Sequence, residues 1–216
     1  LTRLKIMADG GGGQCNDAID RQFEIDSLAF QTVSGCIGST LTNGGFEDAG
    51  KGHLSWALSA GSHPSLTPPS IQEEVAKGGS FAAALHVDNP CNPVEVSTPV
   101  TIPIPTALSG GPALVFHYNY PAHETSNVKV YIKDLYGPDN NPTGFSNNLI
   151  TLKNTLPSTD GWEQETLCLD SSAYGRRATM AMILHGGGGT CDAAYPEEDA
   201  WIDNVKIVYS PDCPAF

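Results

Sequence analysis

ALVFHYNY, Ala113 to Tyr120, is the stretch that decides the fold. Leu114, Phe116, Tyr118 and Tyr120 recur at every second position, with His117 and Asn119 between them. Successive side chains of a strand point to opposite faces, so this segment reads as a strand with one side in a core and one side outside it. VKVYIK repeats the pattern, with Val128, Val130 and Ile132 inward and Lys129, Tyr131 and Lys133 outward. EQETLCL (Glu163 to Leu169), ATMAMIL (Ala178 to Leu184), WIDNVKIVY (Trp201 to Tyr209), FAAALHV (Phe81 to Val87) and VEVSTPVTIPI (Val94 to Ile104) extend it. Seven or more short strands with no convincing helix predict an all-β protein, an antiparallel β-sandwich of two sheets. Pro99, Pro103 and Pro105 lack a ladder donor and predict an edge position for their strand. Trp56, Trp162 and Trp201 stand at strand positions that usually feed a core, and are read as packing residues.

Composition narrows the partners. A net charge of −13 with no basic run repels a phosphate backbone or an anionic membrane surface, so nucleic acid is excluded as a partner. No apolar run approaches the length of a membrane span, which argues against membrane insertion, and LTRLKIMADGG has no signal-peptide layout. The six cysteines, Cys15, Cys36, Cys91, Cys168, Cys191 and Cys213, form no CxxC pair and no zinc spacing with histidine. They predict disulfides in an oxidising compartment, hence an extracellular or cell-surface protein whose export signal lies outside this chain.

GGGGQC at Gly10 to Cys15 returns as GGGGTC at Gly186 to Cys191. The likeness extends in both directions. TRLKIMADGGGGQC aligns with ATMAMILHGGGGTC, and FEIDSLAFQTVSGC (Phe23 to Cys36) aligns with AWIDNVKIVYSPDC (Ala200 to Cys213). Shared strands, an Ile-Asp pair and two cysteines in order mark an internal repeat. Residues 1–36 then form the C-terminal part of a preceding copy, and residues 37–216 a complete sandwich. A fragment of two strands cannot bury a face alone, so it must pack on the complete domain, on another chain or on a further segment.

NGGFE (Asn43 to Glu47), LSWALSAG, GGSFAAALHV, GWEQETLCL and AWIDNVKI occur in that order across residues 41–209. The series resembles the galactose-binding-like jelly rolls, a superfamily that includes many carbohydrate-binding modules of secreted glycan-degrading enzymes. The resemblance implies a structural calcium ion held by Glu47 and Asp203, with Asn204 standing where the pattern usually has a second acid. It also implies that FAAALHV runs antiparallel to WIDNVKI and, with that, the pairings Cys91 with Cys191 and Cys168 with Cys213, out of three that four cysteines allow.

For a glycan the candidates are the outward residues of the middle strands: His117, Asn119, Lys129, Tyr131, Lys133 and Gln164. Sugar recognition needs an aromatic face for the C–H side of the ring and polar groups for its hydroxyls, which Tyr131 beside His117 and Asn119 would supply. Polar outward residues are also what any sandwich presents to water. Catalysis finds no motif. Glu73/Glu74, Glu163/Glu165 and Glu197/Glu198 read as solvated acids, HExxH and GxSxG are absent, and GPDNNPTG (Gly137 to Gly144) reads as a turn. The expected function is a non-catalytic extracellular repeat module that binds glycans or mediates adhesion. Its alternatives are a structural subunit of a filament, sheath or stalk assembled through the partial repeat, with neighbouring copies as partners in a homo-oligomer, and an accessory module of a secreted glycan-degrading enzyme.

Overall fold

A computed structural model of the chain describes residues 41, 43–48, 56–60, 68–73, 75–91, 93–105, 110–121, 126–133, 149–186 and 196–215. The chain divides into two units, Leu1–Cys36 and Ile37–Phe216. The first unit lies outside the described residues, and with it the expected partial repeat, Cys15 and Cys36.

Ten strands make up the described part of the second unit: β1 (Ala57–Ala60), β2 (Ser70–Gln72), β3 (Ala82–Val87), β4 (Val94–Thr101), β5 (Gly111–Asn119), β6 (Asn127–Lys133), β7 (Ile150–Lys153), β8 (Glu163–Cys168), β9 (Arg177–His185) and β10 (Glu198–Ser210). The first sheet has the order β1-β4-β9-β6-β7 and the second β2-β3-β10-β5-β8, each with five strands. Every neighbouring pair is antiparallel. The fold is an all-β jelly-roll sandwich. The implied pairing of FAAALHV with WIDNVKI holds, with Ala84 opposite Trp201.

Alternation of side chains builds the core. Leu114, Phe116 and Tyr118 of β5 meet Val128, Val130 and Ile132 of β6 and Met180, Met182 and Leu184 of β9 in one apolar cluster. Their outward neighbours His117, Asn119, Lys129, Tyr131 and Lys133 are half-buried. Near the start of the unit, NGGFE forms a turn with Phe46 N donating to Asn43 O at 3.0 Å. Phe46 is buried against Trp56 with ring centroids 5.0 Å apart. Gly44 lies so close to β10 that a Cβ there would overlap the carbonyl oxygen of Val205, whose N–H donates to Gly44 O at 2.8 Å. Only glycine lets the backbone approach this way.

Two expectations from the prolines and tryptophans need correction. β4 lies between β1 and β9 instead of at an edge. Among the described residues β1 pairs with Val94 to Ser97, and Pro99 pairs with Thr179 of β9. Trp56 is a core residue, whereas Trp201 is half-buried and alternates with the core residues Ala200 and Ile202, which puts it on the outer face of the second sheet.

Cys168 and Cys213 form a disulfide with Cα atoms 5.3 Å apart, joining the end of β8 to the turn after β10. Gly111 N donates to Cys213 O at 2.8 Å beside it. Cys91 is also disulfide-bonded; its expected mate Cys191 is outside the described residues. Closing a loop of 45 residues removes denatured-state entropy. Cys168→Ser is therefore expected to cost about 2–5 kcal/mol of stability, read as a lower midpoint in non-reducing denaturant titration.

Candidate functional site

Three groups of residues bear on function, and the topology decides which of them meet. Glu47 and Asp203 do come together. The exposed Glu47 carboxylate accepts Ser80 N at 2.8 and 3.1 Å on its two oxygens and Phe81 N at 3.1 Å. Asp203, fully buried, accepts Lys77 N at 2.8 Å and Gly78 N at 3.0 Å on Oδ2, and Asn204 N at 2.6 Å on Oδ1. The segment from Lys77 to Phe81 is thereby tied both to the first turn of the unit and to β10. Burial raises the Asp203 pKa above the ordinary carboxylate range, the three backbone N–H groups oppose that shift, and nearby Glu47 adds to it.

A ligand-binding role needs the outer faces. The six expected glycan residues divide between them. Lys129, Tyr131 and Lys133 project from β6 in the first sheet, whereas His117 and Asn119 lie on β5 and Gln164 on β8 in the second. Tyr131 is therefore not beside His117 and Asn119: the core separates them. Periodicity marks a side chain as outward but does not say which sheet carries it.

On the first sheet the register aligns Ala57, Ser97, Ala181, Tyr131 and Thr151 in one row across all five strands. Ser97 and Ala181 are buried at the foot of this row, and Tyr131 rises beside them. Ser59, Glu95, Ile183 and Lys129 line one side, and Pro99, Thr179 and Lys133 the other. The arrangement is a trough with small residues along its floor and an aromatic ring near one end. Lys133 Nζ pairs with Glu95 Oε1 at 2.5 Å, linking the two sides. Burial raises the Tyr131 pKa, so its phenol stays protonated and can donate at neutral pH. Glu95 was absent from the expected set, although its place between Val94 and Val96 marks it as outward.

On the second sheet His117 pairs in register with Gln164 on one side and Asp203 on the other, while Asn119 lies opposite Trp201. Burial lowers the His117 pKa, Lys77 and Lys206 lower it further, and Asp203 partly opposes them, so the ring is neutral at pH 7. His86 Nδ1 lies 2.8 Å from Asp199 Oδ1 on the same face. Trp201 was missed here because it had been assigned to the core; the alternation of Trp201 and Asp203 against Ile202 is the signal that would have found it.

No protein-family model matches the chain. No curated protein matches it either. Among solved structures it is similar to the enzymatically active domain of tailspike protein 4 of bacteriophage CBA120, with a TM-score of 0.51 and 16% identity over 80% of this chain and 21% of that one. It is also similar to a carbohydrate-binding module of the β-sandwich superfamily described as promiscuous in specificity, with a TM-score of 0.49 and 17% identity over 80% of this chain and 63% of that one. A third likeness is to the CBM22-1 xylan-binding domain of Xyn10C from Paenibacillus barcinonensis, with a TM-score of 0.44 and 10% identity over 80% of this chain and 91% of that one. The chain thus spans about a fifth of the tailspike chain and just under two thirds of the promiscuous module. At these identities the class defined is the jelly-roll sandwich, a fold and not an activity.

The clamp yields a test of its own. Gly79 has φ +72°, and a Cβ there would overlap Glu47 Oε1; Gly161 has φ +98° with open space around it. Gly161→Ala is expected to cost about 1–2 kcal/mol for the left-handed backbone alone. Gly79→Ala should cost more than that in thermal or urea unfolding, the excess measuring the loss of the Glu47 hydrogen bonds.

Proposed function

We propose that the chain is a non-catalytic, extracellular glycan-binding module, and that the trough centred on Tyr131 is its binding surface. The row of small residues ending at Tyr131 carries the reading. A sugar ring offers an apolar C–H face to stack on an aromatic ring and hydroxyls around its edge. Ser97 and Ala181 place small, buried side chains beside Tyr131, and Lys129, Lys133, Glu95 and Thr151 surround them with donors and acceptors. Glu95 is engaged by a lysine and not by a second acid, an arrangement for accepting hydroxyl protons rather than for glycoside hydrolysis. The carbohydrate-binding modules among the similar structures agree in subject with this reading, which rests on the trough. Extracellular placement is supported by the Cys168–Cys213 disulfide, and among the described residues no helix is long and apolar enough to cross a membrane. A filament or adhesive role through residues 1–36, with neighbouring copies as partners, would depend on residues outside those described.

Binding of a glycan panel in affinity electrophoresis tests the reading. Tyr131→Ala is expected to weaken retention at least tenfold, equivalent to about 1.4 kcal/mol, without lowering the melting temperature. Retention by no glycan, or retention indifferent to the substitution, would remove the trough as the site.

We also propose that Glu47 and Asp203 hold a structural Ca²⁺. Support comes from the donor set: two carboxylates lie near one another, one fully buried, and among the described residues neither forms an ion pair with lysine or arginine. Glu47 Oε2 and Asp203 Oδ1 each accept one main-chain N–H and retain a further lone pair for a hard cation, whereas Glu47 Oε1 and Asp203 Oδ2 each accept two. No third His, Cys, Asp or Glu joins them among the described residues, so backbone and water oxygens would complete the shell. Chelation by EDTA is expected to lower the melting temperature by roughly 5–10 °C if calcium was present at about 100 times its dissociation constant. Asp203→Asn should abolish that response, whereas an unchanged melt of the unaltered protein would leave the acids as a hydrogen-bonding clamp alone.

A further inference from the structure

We infer that the outer face of the second sheet is a separate glycan-binding surface built on Trp201, so that one domain holds two glycan chains on opposite sides. The inference takes its ligand class from the proposed function but stands on different residues.

Trp201 is half-buried on the outer face of β10. Its cross-strand neighbours are Ala84 of β3, with Ser70 of β2 beyond, and Asn119 of β5. Small side chains on the β3 side leave the indole accessible to a flat apolar surface, and its N–H is oriented by Gln72 Oε1 at 3.4 Å. His117 and Asn119 sit along the same face, in register with Asp203 and Trp201 of β10. His117 Nδ1 and Asn119 Oδ1 are shielded from solvent without any partner. Buried polar groups are paired in the great majority of cases, so two unpaired on one strand face, both beside β10, mark a place where a ligand is expected to supply the missing partners. Gln164, exposed opposite His117, and the His86–Asp199 pair extend the polar rim.

A hydroxyl-rich ring suits this combination. Its C–H face stacks on the indole, its hydroxyls donate to Asn119, and they either donate to or accept from the neutral His117. A polyanion does not suit it, because Asp199 lies on the same face and the chain carries −13 overall. Since the two sheets pack inner face to inner face, the Tyr131 trough and the Trp201 surface point away from each other and cannot share one short oligosaccharide.

The full chain is titrated calorimetrically with an oligosaccharide of the glycan retained in affinity electrophoresis, while precipitation of the parent polysaccharide is followed by light scattering. The unaltered protein is expected to bind two oligosaccharides and to precipitate the polysaccharide. Trp201→Ala and the His117→Ala/Asn119→Ala pair should each halve the stoichiometry and abolish precipitation, with Trp201→Phe retaining both. The His117 ring resonances should shift on titration, a readout that does not depend on any variant folding. One site lost with Tyr131→Ala and untouched by Trp201→Ala, with static His117 resonances, overturns the inference while leaving the trough. Binding lost with Trp201→Ala and indifferent to Tyr131→Ala removes the trough and leaves this face as a single site. A change of oligomeric state in Trp201→Ala with no change in glycan binding also overturns it, because the face then meets a second copy.

Discussion

A fully buried carboxylate on a central strand is the constraint from which much of this architecture follows. Asp203 lies on β10, which pairs with both β3 and β5. Ionised and unpaired, it would oppose folding by several kcal/mol. Three main-chain N–H groups answer that cost, and two of them, Lys77 and Gly78, come from the segment that leads into β3. Glu47 grips the other end of that segment. β10 then bulges directly after Asp203, where Asn204 takes φ 53°, and the bulge is where Gly44 docks. Asp203 and Glu47 together thus tie the first turn of the domain, the approach to β3 and the course of the last strand to one another.

That fixation matters for recognition because both candidate surfaces are made from strand residues instead of loops. Tyr131, Glu95 and Lys133 stand on β6 and β4; Trp201, Asn119 and His117 stand on β10 and β5. Side chains on paired strands keep their spacing through backbone hydrogen bonds, so little order has to be gained on binding. A sandwich has two outer faces by construction, and among the described residues each carries a partly exposed aromatic beside small neighbours, Tyr131 on one and Trp201 on the other.

Most of the fold could be read in the sequence, since period-2 alternation in β3 to β6 and β8 to β10 is a local property. β1, β2 and β7 have four residues or fewer, too short to show a period. The candidate site was half legible. Tyr131, Lys129 and Lys133 share a trough, yet grouping them with His117 and Asn119 failed because sheet membership is set by pairing across long sequence separations: β6 joins β9 and β5 joins β10. The proline rule failed in β4 for a related reason, as its place between β1 and β9 was not visible from Pro99. Cys168 and Cys213 illustrate the opposite case, where the order of strands in a resembled fold carried information that spacing alone lacks.

Charge distribution bears on the kind of glycan that the proposed surface would take. The chain carries −13 overall, so a strongly anionic polysaccharide would approach against a repulsive field. Only eleven lysines and arginines are present, and two of them, Lys129 and Lys133, flank Tyr131. Lys133 is partly neutralised by Glu95. Such a surface offers short-range hydrogen bonds without long-range attraction, which fits an uncharged polymer held by stacking and hydroxyl contacts. On the proposed reading, affinity would come from stacking and hydroxyl contacts along a row that crosses five strands, about 4.8 Å apart, and not from electrostatic steering.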